Sequence, residues 1–368
     1  ADEGRVVELA FDARDGRSTT VRLLVQAPML LVDTPAGLQR IDLRDGLLLE
    51  PAVPSAGGLA DAALSVDGLV LSLLREDGLL ERRGADLWNG PVLSTEAFAS
   101  SGDDLARARD LGALFVVESP EGAPFAPSGR LAFLDGRELF VSPMGQTVSG
   151  RRWVLHPDGG TAFVAEDDLL VREVDVLSQH AWQPFPVGAP GDDDEADMLI
   201  QGDDLLVATR RNGGLSGSLS VLDLVTGQLT TELLSVDPSR LVRVDDRHVL
   251  VVPANGLPVL EVIEEGVPTT AIRSGVDLLD VVAVPGGALL LGRAADGSHP
   301  LLRWSPERSL VPTGLVAPSA GRLYGAGHDV SVLVGDNGQV WRVFADEGRI
   351  EPVIGVRAVS EGRGVVLP

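Results

Sequence analysis

Three histidines recur at one place in a repeating pattern. His156, His248 and His328 each follow an apolar run and precede a second one, in Trp153-Val-Leu-His-Pro-Asp-Gly-Gly, Arg247-His-Val-Leu-Val-Val and Gly327-His-Asp-Val-Ser-Val. Imidazoles brought together by such loops could hold a transition metal or move a proton. A metal needs its ligands within about 2.0–2.1 Å. The three loops belong to separate repeats, so neither a metal nor a catalytic role is expected of them, and they stand as a weaker site at a channel mouth. A second group is acidic: Gly102-Asp103-Asp104 and Gly191-Asp192-Asp193-Asp194-Glu195-Ala196-Asp197. Consecutive carboxylates diverge and do not follow the spaced acid-and-glycine pattern of a Ca²⁺ loop. They are expected in solvated connections, all on one face, forming an acidic surface that steers basic proteins. No cofactor is expected, Ca²⁺ being the weaker alternative.

Of the five tryptophans, Trp153, Trp304 and Trp341 lie inside apolar runs and read as packing. Trp88 and Trp182 flank the turns Asn89-Gly90 and Gln183-Pro184 and are contact-surface candidates. The chain has no cysteine, and all 30 of its basic residues are arginine. Disulfides, thiolate chemistry and lysine Schiff bases are therefore excluded. The net charge of −24 excludes nucleic acid as a natural partner and disfavours anionic lipid. No apolar run reaches the roughly 18 residues needed to cross a bilayer as a helix. The opening Ala1-Asp2-Glu3-Gly4-Arg5 reads as a mature end left after signal removal, so a periplasmic or extracellular location is expected, with the cytoplasm as alternative.

These residues must be held by short strands. Between Asp197 and Val236 four strand-like runs are separated by Gly202-Asp203, Asn212-Gly213-Gly214 and Thr226-Gly227, turn residues suited to hairpins. One such meander cannot bury both faces, and the chain supplies copies of it. A first unit is read at Val21–Val25, Met29–Thr34, Leu38–Arg44 and Leu47–Ala52, and a second at Leu59–Val66, Leu69–Arg75, Leu79–Arg83 and Pro91–Thr95. The third, 104–142, is irregular, and its stretch 105–109 reads either as a strand or as one helical turn. The others occupy 151–186, 197–236, 240–273, 276–312 and 322–354. The expected fold is all-β: a single β-propeller over 1–368, of four-stranded antiparallel blades, eight in number with seven as the alternative. Its ring is closed by the termini, through Gly4–Arg14 and Val356–Leu367.

The apolar strand, Pro-Asp-Gly turn and second apolar strand of Trp153–Ala165 resemble the repeats of WD40-like and quinoprotein-like propellers, although the Gly-His and Trp-Asp pairs of WD40 repeats are missing. With no catalytic constellation in the sequence, a non-enzymatic protein-interaction scaffold or accessory subunit is expected. A propeller-type lyase, glycosidase or quinoprotein-like dehydrogenase, with its site at the channel mouth, is the alternative.

Overall fold

The computed structural model describes residues 6–12, 18–24, 28–35, 37–53, 59–64, 70–75, 79–84, 92–97, 105–107, 114–118, 130–135, 138–141, 152–157, 160–166, 168–175, 180–211, 216–307, 309–325, 328–358 and 364–367. Among them the strands form eight antiparallel sheets of four or five strands and one separate hairpin. The one helix described is a 3₁₀ turn, Ala254–Gly256. This is the layout of propeller blades.

The apolar pattern explains why the sheets need each other. In the sixth sheet the second strand, His248–Pro253, is apolar without alternation. Val249 and Val251 pack toward the fifth sheet against Leu206 and Leu219, while Leu250 and Val252 pack toward the seventh against Leu278 and Leu290. A strand buried on both faces has to read this way. Leu289 and Leu291 in the seventh sheet, with Leu333 in the eighth, repeat the arrangement. Each fully buried Leu or Val contributes about 1.5–3 kcal/mol, so stability resides in the layers between sheets.

The first and last sheets are also neighbours. Leu30, Val32 and Ile41 of the first share a core cluster with Val332, Val334 and Val340 of the eighth. The innermost strand of the first sheet comes from the far end of the chain: Gly364–Leu367 pairs antiparallel with Met29–Thr34, Leu30 opposite Val366. The expected first strand, Val21–Val25, is not in this sheet. Ser18–Leu24 instead pairs with Val6–Asp12 as a separate hairpin, so the segment Gly4–Arg14 has no place in the first sheet. Only five residues separate these two strands in sequence, and so short a connection favours this pairing. The ambiguous stretch 105–109 holds a strand, Leu105–Arg107, which opens a four-stranded third sheet.

Candidate functional site

Neighbouring sheets meet through their first strands, Asp194–Gln201 with Pro238–Arg243 and Asp277–Val284 with Gly321–Tyr324. A β-bulge interrupts the first strands of the second, fifth, sixth and seventh sheets, next to Asp61, Asp197, Arg240 and Asp280 respectively. A bulge re-aims the side chain that follows it, and the charges at Asp197, Arg240 and Asp280 bridge sheets. Asp197 Oδ2 accepts the Leu241 N–H at 2.8 Å, and Asp280 Oδ2 accepts the Leu323 N–H at 2.7 Å. Arg240 Nη2 donates to Asp280 Oδ1 at 2.5 Å. These charges are consumed in joining the fifth to the eighth sheets. Replacing Asp280 with alanine leaves the buried Leu323 N–H without its acceptor and Arg240 with the Val281 carbonyl but no carboxylate. Chemical denaturation is expected to show a loss of about 2–4 kcal/mol, and a double-mutant cycle with Arg240→Ala a coupling of at least about 1 kcal/mol. A loss under about 0.5 kcal/mol, the size typical of an exposed site, would show that the bridge contributes nothing.

The acidic run is divided by the structure. Asp194, Glu195 and Asp197 belong to the strand Asp194–Gln201, not to the connection before it. Asp193 is exposed. Asp192, expected in solvent, is turned inward with its side chain 1% exposed. Its Oδ2 accepts hydrogen bonds from Ser218 Oγ (2.6 Å), Thr209 Oγ1 (2.7 Å) and the Ala189 N–H (2.9 Å), with Arg211 Nη2 3.7 Å from Oδ1. Burial pushes this carboxyl up, but the bonds from Ser218, Ala189 and Thr209, with Arg211 behind them, outweigh it and hold the pKa below the ordinary value. The physical reason for the correction is the pair of facing hydroxyls, which solvate the carboxylate better than an open loop. Asp237, in the connection into the sixth sheet, behaves oppositely. Burial raises its pKa, Arg210 counteracts this, and Asp193 adds to it. Asp193, Arg210 and Asp237 therefore lie near one another. Asp103, Asp104 and Trp88 lie outside the described residues.

The histidines lie at the connections between first and second strands, as read from the sequence, except that His248 already opens its second strand. Each has its own surroundings. The His156 N–H donates to Thr161 O at 2.8 Å. His248 Nδ1 is 2.9 Å from both carboxylate oxygens of Asp245, and its ring meets buried Trp304 edge-on at 5.7 Å. His328 acts on Asp42, whose pKa burial raises and the Arg44 N–H and His328 lower. Among the described residues no group of three or more His, Asp or Glu side chains is placed to hold a metal ion.

Asp245 also lines a cleft of about 520 Å³, with Gly286, Arg303, Ser305, Glu307 and Asp346. Arg303 is ion-paired to Asp346 and donates to Pro285 O at 2.9 Å. Two further carboxylates, Asp245 and Glu307, leave the cleft net acidic. Sequence reading missed this cleft and the bridging Asp280 and Arg240. Trp182 is 52% exposed, with the His180 ring edge-on at 4.7 Å and its carbonyl accepting from Arg172. Trp304 and Trp341 are buried.

No family model matches the chain, and no curated protein does. Solved structures match it over most of its length. The dihydro-heme d1 dehydrogenase NirN in complex with DHE aligns with a TM-score of 0.62 at 16% identity, covering 94% of this chain and 78% of that one. Apo AztD from Citrobacter koseri gives 0.59 at 12% identity, covering 93% and 98%. The WD40 repeats of RRP9 give 0.55 at 12% identity, covering 93% and 99%. At such identities the likeness establishes the fold and nothing about chemistry: the chain is a β-propeller, similar to WD40 repeats and to a dehydrogenase alike.

Proposed function

We propose that this protein is a non-enzymatic propeller, a scaffold or accessory subunit that presents its outer rim and acidic face to a second protein with a basic surface. One observation carries the reading. The exposed large apolar side chains gather on the outer strands and their turns, among them Val225, Leu233, Val267, Val316 and Ile354. The bridging charges of the inner strands, by contrast, are bonded to neighbouring sheets. Apolar groups rimmed by carboxylates suit a protein partner, and a net charge of −24 selects a basic one. No cofactor enters this reading. The test is capture from native extract followed by reconstitution with the purified partner. A stoichiometric complex is expected whose association slows with salt, and which the double variant Leu233→Lys, Val316→Lys loses. Partners retained equally by that variant would overturn the rim as the binding surface.

The cleft beside Asp245 supports a second reading, a propeller-type enzyme, because Asp245 holds His248 in the geometry of an oriented base. An activity in the purified protein that His248→Ala abolishes without loss of stability would establish it.

A further inference from the structure

The outer strand of every propeller sheet has one unpaired backbone edge, which other chains can pair with unless something prevents it. In this protein the outer strands are blocked almost throughout. Leu48–Val53, Val267–Arg273, Ser309–Ala317 and Arg349–Arg357 each contain a proline, Pro51, Pro268, Pro312 and Pro352, and each pairs with its neighbour through a register shift. Val92–Ala97 has a register shift. The fourth sheet's outer strand is reduced to His180–Ala181 and Phe185–Pro186. Glu138–Val141 has neither device and is four residues long.

Leu229–Leu233 in the fifth sheet is different. It has no proline, it pairs with Gly217–Asp223 in unbroken register, and all of its residues are exposed. Its free backbone groups can be assigned. The Asp223 N–H donates to Gln228 O and the Leu234 N–H to Gly217 O, each at 3.0 Å. Hydrogen-bonded pairs alternate along an antiparallel ladder, so Thr230 and Glu232 bond inward. Leu229, Thr231 and Leu233 direct their N–H and C=O groups outward. The side chains of these three share a face. Thr231 Oγ1 is 3.0 Å from Ser220 Oγ, and Ser220 and Ser218 accept the Gly188 and Ala189 N–H groups of the connection from the fourth sheet. Around these hydroxyls the face exposes Leu229 and Leu233, the latter 69% exposed. The opposite face carries Thr230 and Glu232.

We infer that the edge Leu229–Leu233 is a strand-addition site for an extended segment of a partner protein in which apolar residues alternate with basic ones. The apolar residues lie beside Leu229 and Leu233, and the basic ones beside Glu232. Charge selects this occupant over a second copy, because two chains at −24 repel. The inference rests on the scaffold reading and specifies how the partner is held.

The probe is a synthetic peptide of alternating valine and arginine. Its control has the central valine replaced by proline, so both peptides carry the same charge. Fluorescence anisotropy is expected to show the alternating peptide binding about ten-fold tighter than the control. Hydrogen exchange at Leu229, Thr231 and Leu233 should slow in the complex. Thr231→Pro removes an outward N–H and leaves the ladder bonds in place, so it should abolish the difference between the peptides. Leu233→Lys should weaken the alternating peptide, and it serves as the test if the proline variant fails to fold. Equal binding of the two peptides, or a difference that survives both variants, overturns the site. Self-association of the wild type that Thr231→Pro abolishes overturns the choice of occupant in favour of a second copy. A native complex that Thr231→Pro leaves intact removes the edge from the mechanism while the scaffold reading stands.

Discussion

Excision of Gly364–Leu367 is expected to abolish cooperative folding at physiological temperature. These residues form the inner strand of the first sheet, paired with Met29–Thr34 from Met29 opposite Leu367 to Val32 opposite Gly364. Removing them unpairs the inner edge of a strand in which Leu30, Leu31 and Val32 are fully buried. Those side chains serve two layers, Leu31 toward the second sheet and Leu30 and Val32 toward the eighth, so one lost strand loosens both. A four-residue ladder at about 0.5–1.5 kcal/mol per hydrogen bond gives roughly 2–6 kcal/mol before any apolar exposure is counted. Domains are stable by only about 5–15 kcal/mol. Circular dichroism should show residual strand signal with a broad, early thermal transition, and the separate hairpin Val6–Asp12 with Ser18–Leu24 cannot replace the missing strand. An unchanged melting temperature would mean that the first sheet does not depend on this pairing.

What was legible in the sequence divides along local and non-local lines. The turns and second strands were legible because their signals are contiguous: an uninterrupted run such as His248–Pro253, too short for a core helix and bounded by turn residues, reads as a strand buried on both faces. The inner strand of the first sheet was legible only in part: Val356–Leu367 was expected to close the ring together with Gly4–Arg14, but nothing local in Gly364–Leu367 marks Met29–Thr34 as its partner. The bridging charges did leave a trace. Arg240 and Asp280 stand 40 residues apart, one repeat length, beside matching bulges. The acidic run left none. Asp192 and Asp193 are identical neighbours, yet one is buried and one exposed. What distinguishes them lies 17 and 26 residues away, in Thr209 and Ser218. Composition can place charge on a face, but only the paired strands decide which carboxylate turns inward.

That difference makes Asp192 the position where an acidic surface residue becomes a structural one. Asp192→Ala leaves Thr209 Oγ1, Ser218 Oγ and the Ala189 N–H without their common acceptor and removes the charge beside Arg211. Hydrogen bonds to a charged group contribute about 1.5–3 kcal/mol each, and the hydroxyls recover part by bonding each other, so a net loss of about 3–5 kcal/mol is expected. Asp192→Asn keeps the shape and loses the charge, and about half of that loss is expected of it. Asp193→Asn, on the exposed neighbour, should change stability by less than about 0.5 kcal/mol. In the proposed complex with a basic partner the exposed carboxylates steer association, so Asp193→Asn should slow it, whereas Asp192→Asn acts first on folding. The pH dependence follows from the lowered pKa of Asp192. Its contribution is complete above the ordinary carboxyl value near 3.8 and disappears as pH falls through the lower value of the folded state. The wild type should therefore lose its advantage over Asp192→Asn in that acid window. A Ca²⁺ loop would give another pattern, a melting temperature that rises with Ca²⁺ in the wild type and not in the variant. Denaturant titrations at neutral and acid pH, with and without Ca²⁺, separate the two. If Asp192→Asn were as stable as the wild type at neutral pH, the three hydrogen bonds to this carboxylate would contribute nothing to the fold.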